Sequence, residues 1–470
     1  NAFAPGFLGF DRPKTYLVLA QDQNELFPTG GFIPIYGLIT LDHGRIIRKS
    51  FEPVANLNGR WQEASGGEYV EPPGPLKRYL LRDHTWNLGV SNWSPDFPTA
   101  ARQAQFFFAK ASSEPIDGVL AINSITLEEL LNVVGSLTIQ DYDVTVTAEN
   151  VNQETLKLTR PSQEAGGDRY AFTGSLADSV IEAAFAADAD RWSEMLDALN
   201  RLGEGKGLLF YSNDPQQQRL VRNLGWDGSL EGAEGDYLMV VNASVDSTKL
   251  NLVLDEAMEV DVAIDGAGVA SHRITLRYEN GLSDWAKGRD PQFIKETMLD
   301  GFYGGYLRLY APADADFIDA VQDGESIGFE EITAENGKAA VGRFFGLARD
   351  ERTELAFLYD VPNSVRNSDD SVEYRLVIQK QPGTRAIPLR LALQLPDGAD
   401  LDSVVLDGKS VTTGSGLLEI KTVLDADREL VVRYKVSDDR HASVPDPTEM
   451  AVHGEPALPG RQSAYLRSRR

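Results

Sequence analysis

Cysteine is absent from the 470 residues, which removes disulfides, thiolate metal sites and a cysteine nucleophile together. The redox compartment is left open. Histidine is scarce, and His43, His84, His272, His441 and His453 show no HExxH or other short metal-ligand spacing. There is no GxSxG elbow, P-loop or GxGxxG fingerprint, so hydrolase, NTPase and nicotinamide chemistry find no support. Basic residues are outnumbered, 45 against 71 acidic, for a formal charge of −26. Such a surface repels nucleic acid and anionic lipid alike. The exception is the C-terminus, where Arg461, Arg467, Arg469 and Arg470 follow a proline-containing stretch in a tail expected to be flexible. No apolar run is long enough to span a bilayer, so the sequence reads as a soluble chain without a transmembrane segment. An Asn1 start fits a removed leader, signal or anchor, and fits trimming equally well.

What is present is patterned. The apolar TYLVLA from Thr15, the polar QDQNE, the turn-like Pro28 to Gly31 and the apolar FIPIYGLITL predict strand, loop and strand. Asp42, His43 and Gly44 then turn the chain into a hairpin with RIIRKSF. Residues 53–92, rich in Pro, Gly and Trp, are expected to form a long ordered loop. Asp96 is positioned to cap a helix that begins near Pro98 and buries Phe106, Phe107 and Phe108. GVLAIN follows as a strand, then a helix carrying Leu127, Leu130, Leu131 and Val134 and stopping at Gly135. A long helix from Leu176 to Leu202, the strand GLLFYS and the helix DPQQQRLVRNLG extend an α/β domain to residue 235.

Beyond that point the hydrophobic period falls from 3.6 to 2. YLMVVNASV, KLNLVLD, EVDVAID, HRITLRYEN and YLRLYAP predict an antiparallel β-rich domain over 236–354. ELAFLYDVP, VEYRLVIQK, PLRLALQLP, GLLEIK and ELVVRYKV predict a β-sandwich over 355–440, with the tail at 441–470.

The segment TYLVLAQDQNELFPTGGFIPIYGLITLDHGRI resembles the signature of the bacterial family catalogued as domain of unknown function 4012. RDHTWNLGVSNWSPDFPTAA, IDGVLAINSITLEELLNVVG and GLLFYSNDPQQQRLVRNLGWDG resemble its later blocks in order. One departure is Phe27, which stands where that family usually has arginine. A more distant likeness is to the LytR-CpsA-Psr family, which moves polyprenyl-pyrophosphate-linked glycans to the cell wall and has a mixed sheet flanked by helices. That resemblance implies a catalytic set with an anion clamp at Arg82 and with Asp83 or Asp96 as acidic residues that place a divalent cation. It also implies a divalent cation, Mg or Ca, near Asp22.

The residues themselves leave alternatives. Asp22, Asn24 and Glu25 can ligate a hard cation through oxygen, or serve as turn chemistry with Thr29, Gly30 and Gly31. Arg82 with Asp83 is either a clamp or a solvated pair. Trp61, Trp86 and Trp93 are either stacking platforms for sugar rings or a loop's own small core. The acid pairs Asp188/Asp190, Asp314/Asp316 and Asp425/Asp427 lack the Gly and distal Glu of an EF-hand and read as solvated turns. The resulting expectation is an extracytoplasmic envelope or surface protein. It would bind an envelope glycan or another surface protein, itself included, through Asn24, Glu25, Thr29 and the tryptophans, or assemble into a layer or filament. The alternative is a glycan phosphotransferase.

Overall fold

Alternation decides the first sheet. In β1 (Lys14–Asp22), Leu17 and Leu19 point into one apolar cluster and Tyr16, Val18 and Ala20 into another, as a period of two requires. Both faces must therefore be covered. We describe the fold from a computed structural model, which covers residues 6–159, 170–186, 191–232, 234–368, 371–412 and 418–436. β2 (Phe32–Asp42) and β3 (Arg45–Pro53) continue as an antiparallel hairpin, its turn carrying His43 at φ 48° and Gly44 at φ 77°. β4 (Gly118–Ile122) lies parallel to β1, and β5 (Leu208–Ser212) closes the order β3-β2-β1-β4-β5.

Helices cover both faces. α1 (Val54–Ser65) falls inside the expected loop. Its Val54, Leu57 and Trp61 sit three and four residues apart and are buried, although Asn58 and Gly59 between them mask that stripe. α2 (Phe97–Ala111) begins as expected at Asp96, whose Oδ2 accepts from the Thr99 amide at 3.0 Å. Phe107 and Phe108 are buried, but Phe106 is exposed. α3 (Ser124–Val134) is capped by Asn123. α4 (Val151–Leu158), α5 (Ala171–Phe185) and α6 (Trp192–Glu204) build a side cluster with α3, the last two standing where one long helix from Leu176 to Leu202 was expected.

From Asp236 onward the described strands form two larger sheets. One runs, in spatial order, Glu325–Ser326, Asp316–Gln322, Arg352–Val361, Ala270–Asn280, Leu254–Ile264, Ile387–Gln394 and Leu418–Leu424. The other includes Lys338–Leu347, Tyr303–Pro312, Asp236–Ser244, Val372–Gln379, Arg428–Val436 and Ala399–Leu406. Strands from the expected third domain pair in parallel with early ones, Ile387–Gln394 beside Leu254–Ile264 and Val372–Gln379 beside Asp236–Ser244. The expected boundary at 354/355 thus falls inside the strand Arg352–Val361, and both halves share both sheets. Alternation identifies a strand but not its neighbour. Both sheets feed one apolar cluster. Within it Asp236 Oδ2 meets His272 Nε2 at 2.6 Å and accepts from Tyr374 Oη at 2.7 Å, joining one sheet to the other. Among the described residues no helix is long and apolar enough to cross a membrane. The C-terminal arginines and the Asp188/Asp190 pair lie outside the described residues.

Candidate functional site

The loop after β1 joins the α/β region to the strand-rich region. The Asp22 carboxylate receives the Lys249 ammonium through Oδ2 and the Asn24 amide, at 3.0 Å, through Oδ1. Glu25 Oε1 accepts from the same Lys249 Nζ at 2.6 Å. Leu26 N donates to Asn251 Oδ1 at 3.1 Å, Ser244 N donates to Leu26 O at 2.8 Å, and Gln381 Nε2 donates to Phe27 O at 3.2 Å. Gly383, at φ 77°, rests on this loop so closely that a Cβ there would come within 2.4 Å of Gly30 Cα. The two carboxylates raise the Lys249 pKa against the opposing effect of burial, the largest single influence. Lys249 therefore stands where the sequence placed a divalent cation at Asp22. No group of three or more His, Asp or Glu side chains suited to a metal gathers among the described residues.

Phe27 is buried against Phe32 and Trp93 in the same joint, beside Tyr306 from the strand-rich region. The Arg308 guanidinium lies 4.5 Å from the Trp93 ring centroid and donates to Trp93 O at 2.5 Å. Trp61 is buried in the α/β core, and Trp86 packs edge-on against Phe107 with Nε1 donating to Val90 O at 2.9 Å. The tryptophans thus pack inward rather than forming a common exposed platform. Thr29 is buried, its Oγ1 accepting from Gln21 Nε2 at 2.8 Å and Asn92 Nδ2 at 3.0 Å.

The implied catalytic trio is not brought together. Asp96 directs Oδ2 to the start of α2 and accepts from Leu230 N through Oδ1 at 3.1 Å. Arg82 and Asp83 are exposed on a turn, and Arg82 lines a groove different from the cavity lined by Asp22.

That cavity, of about 60 Å³, lies at the carboxyl ends of the parallel strands β1 and β4, where open α/β sheets commonly bind ligands. Its walls come from Gln21 to Asn24 at the end of β1 and just beyond, the cap Asn123 with Ser124 and Leu127 of α3, Asn152 and Thr155 on α4, and Thr173 and Ala177 on α5. Asn24 Nδ2 donates to Asn152 Oδ1 at 3.1 Å. Two residues of the wall each bury a polar atom with no hydrogen-bond partner, Gln23 Oε1 and Ser124 Oγ. Gln23 is only 8% exposed. Native interiors rarely leave such groups unmatched. Sequence reading passed over both residues, because an unpaired amide is legible only once its neighbours are in place. The cavity presents amide and hydroxyl groups beside Ile122, Leu127 and Ala177, with its nearest carboxylate, Asp22, neutralised by Lys249. It suits an uncharged group with one apolar end and both donor and acceptor capacity.

No curated protein matches the chain. Among solved structures, a Streptococcus agalactiae protein is 12% identical, with 47% of this chain and 76% of that one covered and a TM-score of 0.27. A Listeria innocua protein is 10% identical over 50% and 87%, at 0.26. An M1 zinc metallopeptidase from Deinococcus radiodurans is 14% identical over 38% and 42%, at 0.21. Likenesses this slight carry no functional weight. Residues 11–158, which include the joint loop and most of the cavity wall, match the family described as Protein of unknown function (DUF4012).

Proposed function

We propose that this chain is a binding module of the cell envelope or surface. Its α/β region would take an uncharged, amide-bearing substituent, such as the acetamido arm of an envelope amino sugar. The strand-rich region, read as a β-sandwich, would act as its mounting. The observation that carries this reading is that two residues lining one cavity each bury an unmatched polar atom, Gln23 Oε1 and Ser124 Oγ. An acetamido group offers an N–H to the first, a carbonyl to the second and a methyl to Ile122, Leu127 and Ala177. At roughly 30 Å³ per water, the cavity holds an arm of a sugar while the ring stays outside. Binding is favoured over phosphoryl transfer because Asp22 and Glu25 hold a lysine, and Asp96 accepts from backbone amides. The proposal extends to a distant kinship with LytR-CpsA-Psr proteins and to an extracytoplasmic location.

The test is calorimetric titration of the full chain with chitotetraose, using cellotetraose as the control without acetamido groups. Selective binding of chitotetraose is expected. Equal binding of both sugars, or of neither, would refute the assignment.

A further inference from the structure

A groove of about 630 Å³ runs along the junction of the two regions, far larger than the acetamido cavity and within the usual range of ligand sites. Two tight turns border it. In one, His84 N donates to Leu81 O at 2.8 Å and Arg82 adopts φ 54°, ψ −108°; in the other, Gly301 N donates to Met298 O at 2.9 Å and Leu299 adopts φ 52°, ψ −121°. Both are type II′ turns, whose first central residue is normally glycine. An arginine and a leucine there hold strained backbone, and such strain concentrates at functional sites.

Neither side chain compensates the strain inside the molecule. Leu299 is 55% exposed. Arg82 is exposed and its guanidinium has no hydrogen-bond or ion-pair partner among the described residues. That freedom is notable in a chain of charge −26, where Arg60, Arg201, Arg385 and Arg390 each lie against a carboxylate.

We propose that this groove is a second ligand site, taking a sugar ring that carries a carboxylate. Arg82 supplies the planar fork that matches a carboxylate, with His84 beside it. Phe302, 43% exposed and seated against Gly346, supplies a ring surface. Of the acids along the groove, Asp246 accepts from Ser244 Oγ at 2.8 Å, Thr248 N at 3.0 Å and Gly304 N at 2.5 Å, so it is already satisfied. Asp300 Oδ1 accepts from Phe302 N at 3.1 Å. With Asp83 also exposed nearby, the groove disfavours a dianionic phosphate and tolerates a single negative charge.

The experiment is titration of the full chain with tetragalacturonate, maltotetraose and inorganic phosphate. The wild type is compared with Arg82→Gln, Arg82→Gly and Phe302→Ala. Tetragalacturonate is expected to bind selectively, and each substitution to weaken it by about ten-fold or more. Arg82→Gly relieves the turn, so lost binding accompanied by an undiminished melting temperature reads the side chain rather than the fold. Failure to bind tetragalacturonate, equal binding of maltotetraose, preferred binding of phosphate, or unchanged affinity in Arg82→Gln would each overturn the proposal. None of these outcomes bears on the acetamido cavity, which shares no residue with the groove.

Discussion

Replacing Gln23 with leucine is expected to stabilise the unliganded protein while weakening its capture of an acetamido sugar. The Gln23 side chain is almost fully buried, and its Oε1 accepts no hydrogen bond. An unmatched buried polar group costs about 1–3 kcal/mol. Leucine removes that cost, fills similar space and adds contact with the apolar part of the wall, so a net gain of about 1–2 kcal/mol is expected. For a unit of this size each kcal/mol moves the melting temperature by roughly 2–4 °C. Urea titration should show a higher midpoint at unchanged slope, which assigns the change to stability rather than to compactness. Destabilisation by more than about 1 kcal/mol would refute the reasoning, because it would mean that the amide already has a partner of its own, such as ordered water.

Arg82→Gly and Leu299→Gly should each raise the melting temperature, since glycine accepts the II′ position and the strain relieved is about 1–3 kcal/mol; a fall in either would contradict the turn assignment. Lys249→Met leaves Asp22 and Glu25 half-buried without their cation and should cost up to about 3 kcal/mol in chemical denaturation. Adding Asp22→Asn and Glu25→Gln should recover part of that loss. Lys380 Nζ is buried among the carbonyls of Gly205, Gln381 and Thr384, and burial, aided by Lys206, pushes its pKa down to about 7. Between that value and the roughly 10.4 of a free lysine, the unfolded chain binds the extra proton. Lys380 thus makes stability rise with pH across that window and adds no slope below about pH 7. Melting curves across the window should show this rise, and Lys380→Met should flatten it.

Where local chemistry decides structure, the sequence was legible. The alternation of TYLVLA and FIPIYGLITL, the Asp42 to Gly44 turn and the Asp96 cap each act within a few residues, and each is found in the fold. Helix α1 was hidden because Asn58 and Gly59 interrupt a stripe made by only Val54, Leu57 and Trp61. The role of Asp22 was misjudged for a different reason. Its partner Lys249 lies 227 residues away, and a carboxylate waiting for a metal looks the same in sequence as one waiting for a lysine. The two strand-rich segments looked separable because period two reveals which face of a strand is buried. It says nothing about the parallel insertion of Val372–Gln379 beside Asp236–Ser244. Arg82 did draw attention, but as a clamp near Asp96. Its strained turn and its neighbours Leu299 and Phe302 emerge only from tertiary structure.

The central claim, that the cavity at the ends of β1 and β4 receives an acetamido group, is tested most directly by the side-chain amide resonances of Gln23. They should be followed with the backbone amide of Ser124 as chitotetraose is added to isotope-labelled protein. Saturable shifts at both residues, absent with cellotetraose, are the expected result, and Gln23→Leu should abolish the shift at the Ser124 amide. Shifts confined to other residues, or the same shifts with cellotetraose, would contradict it.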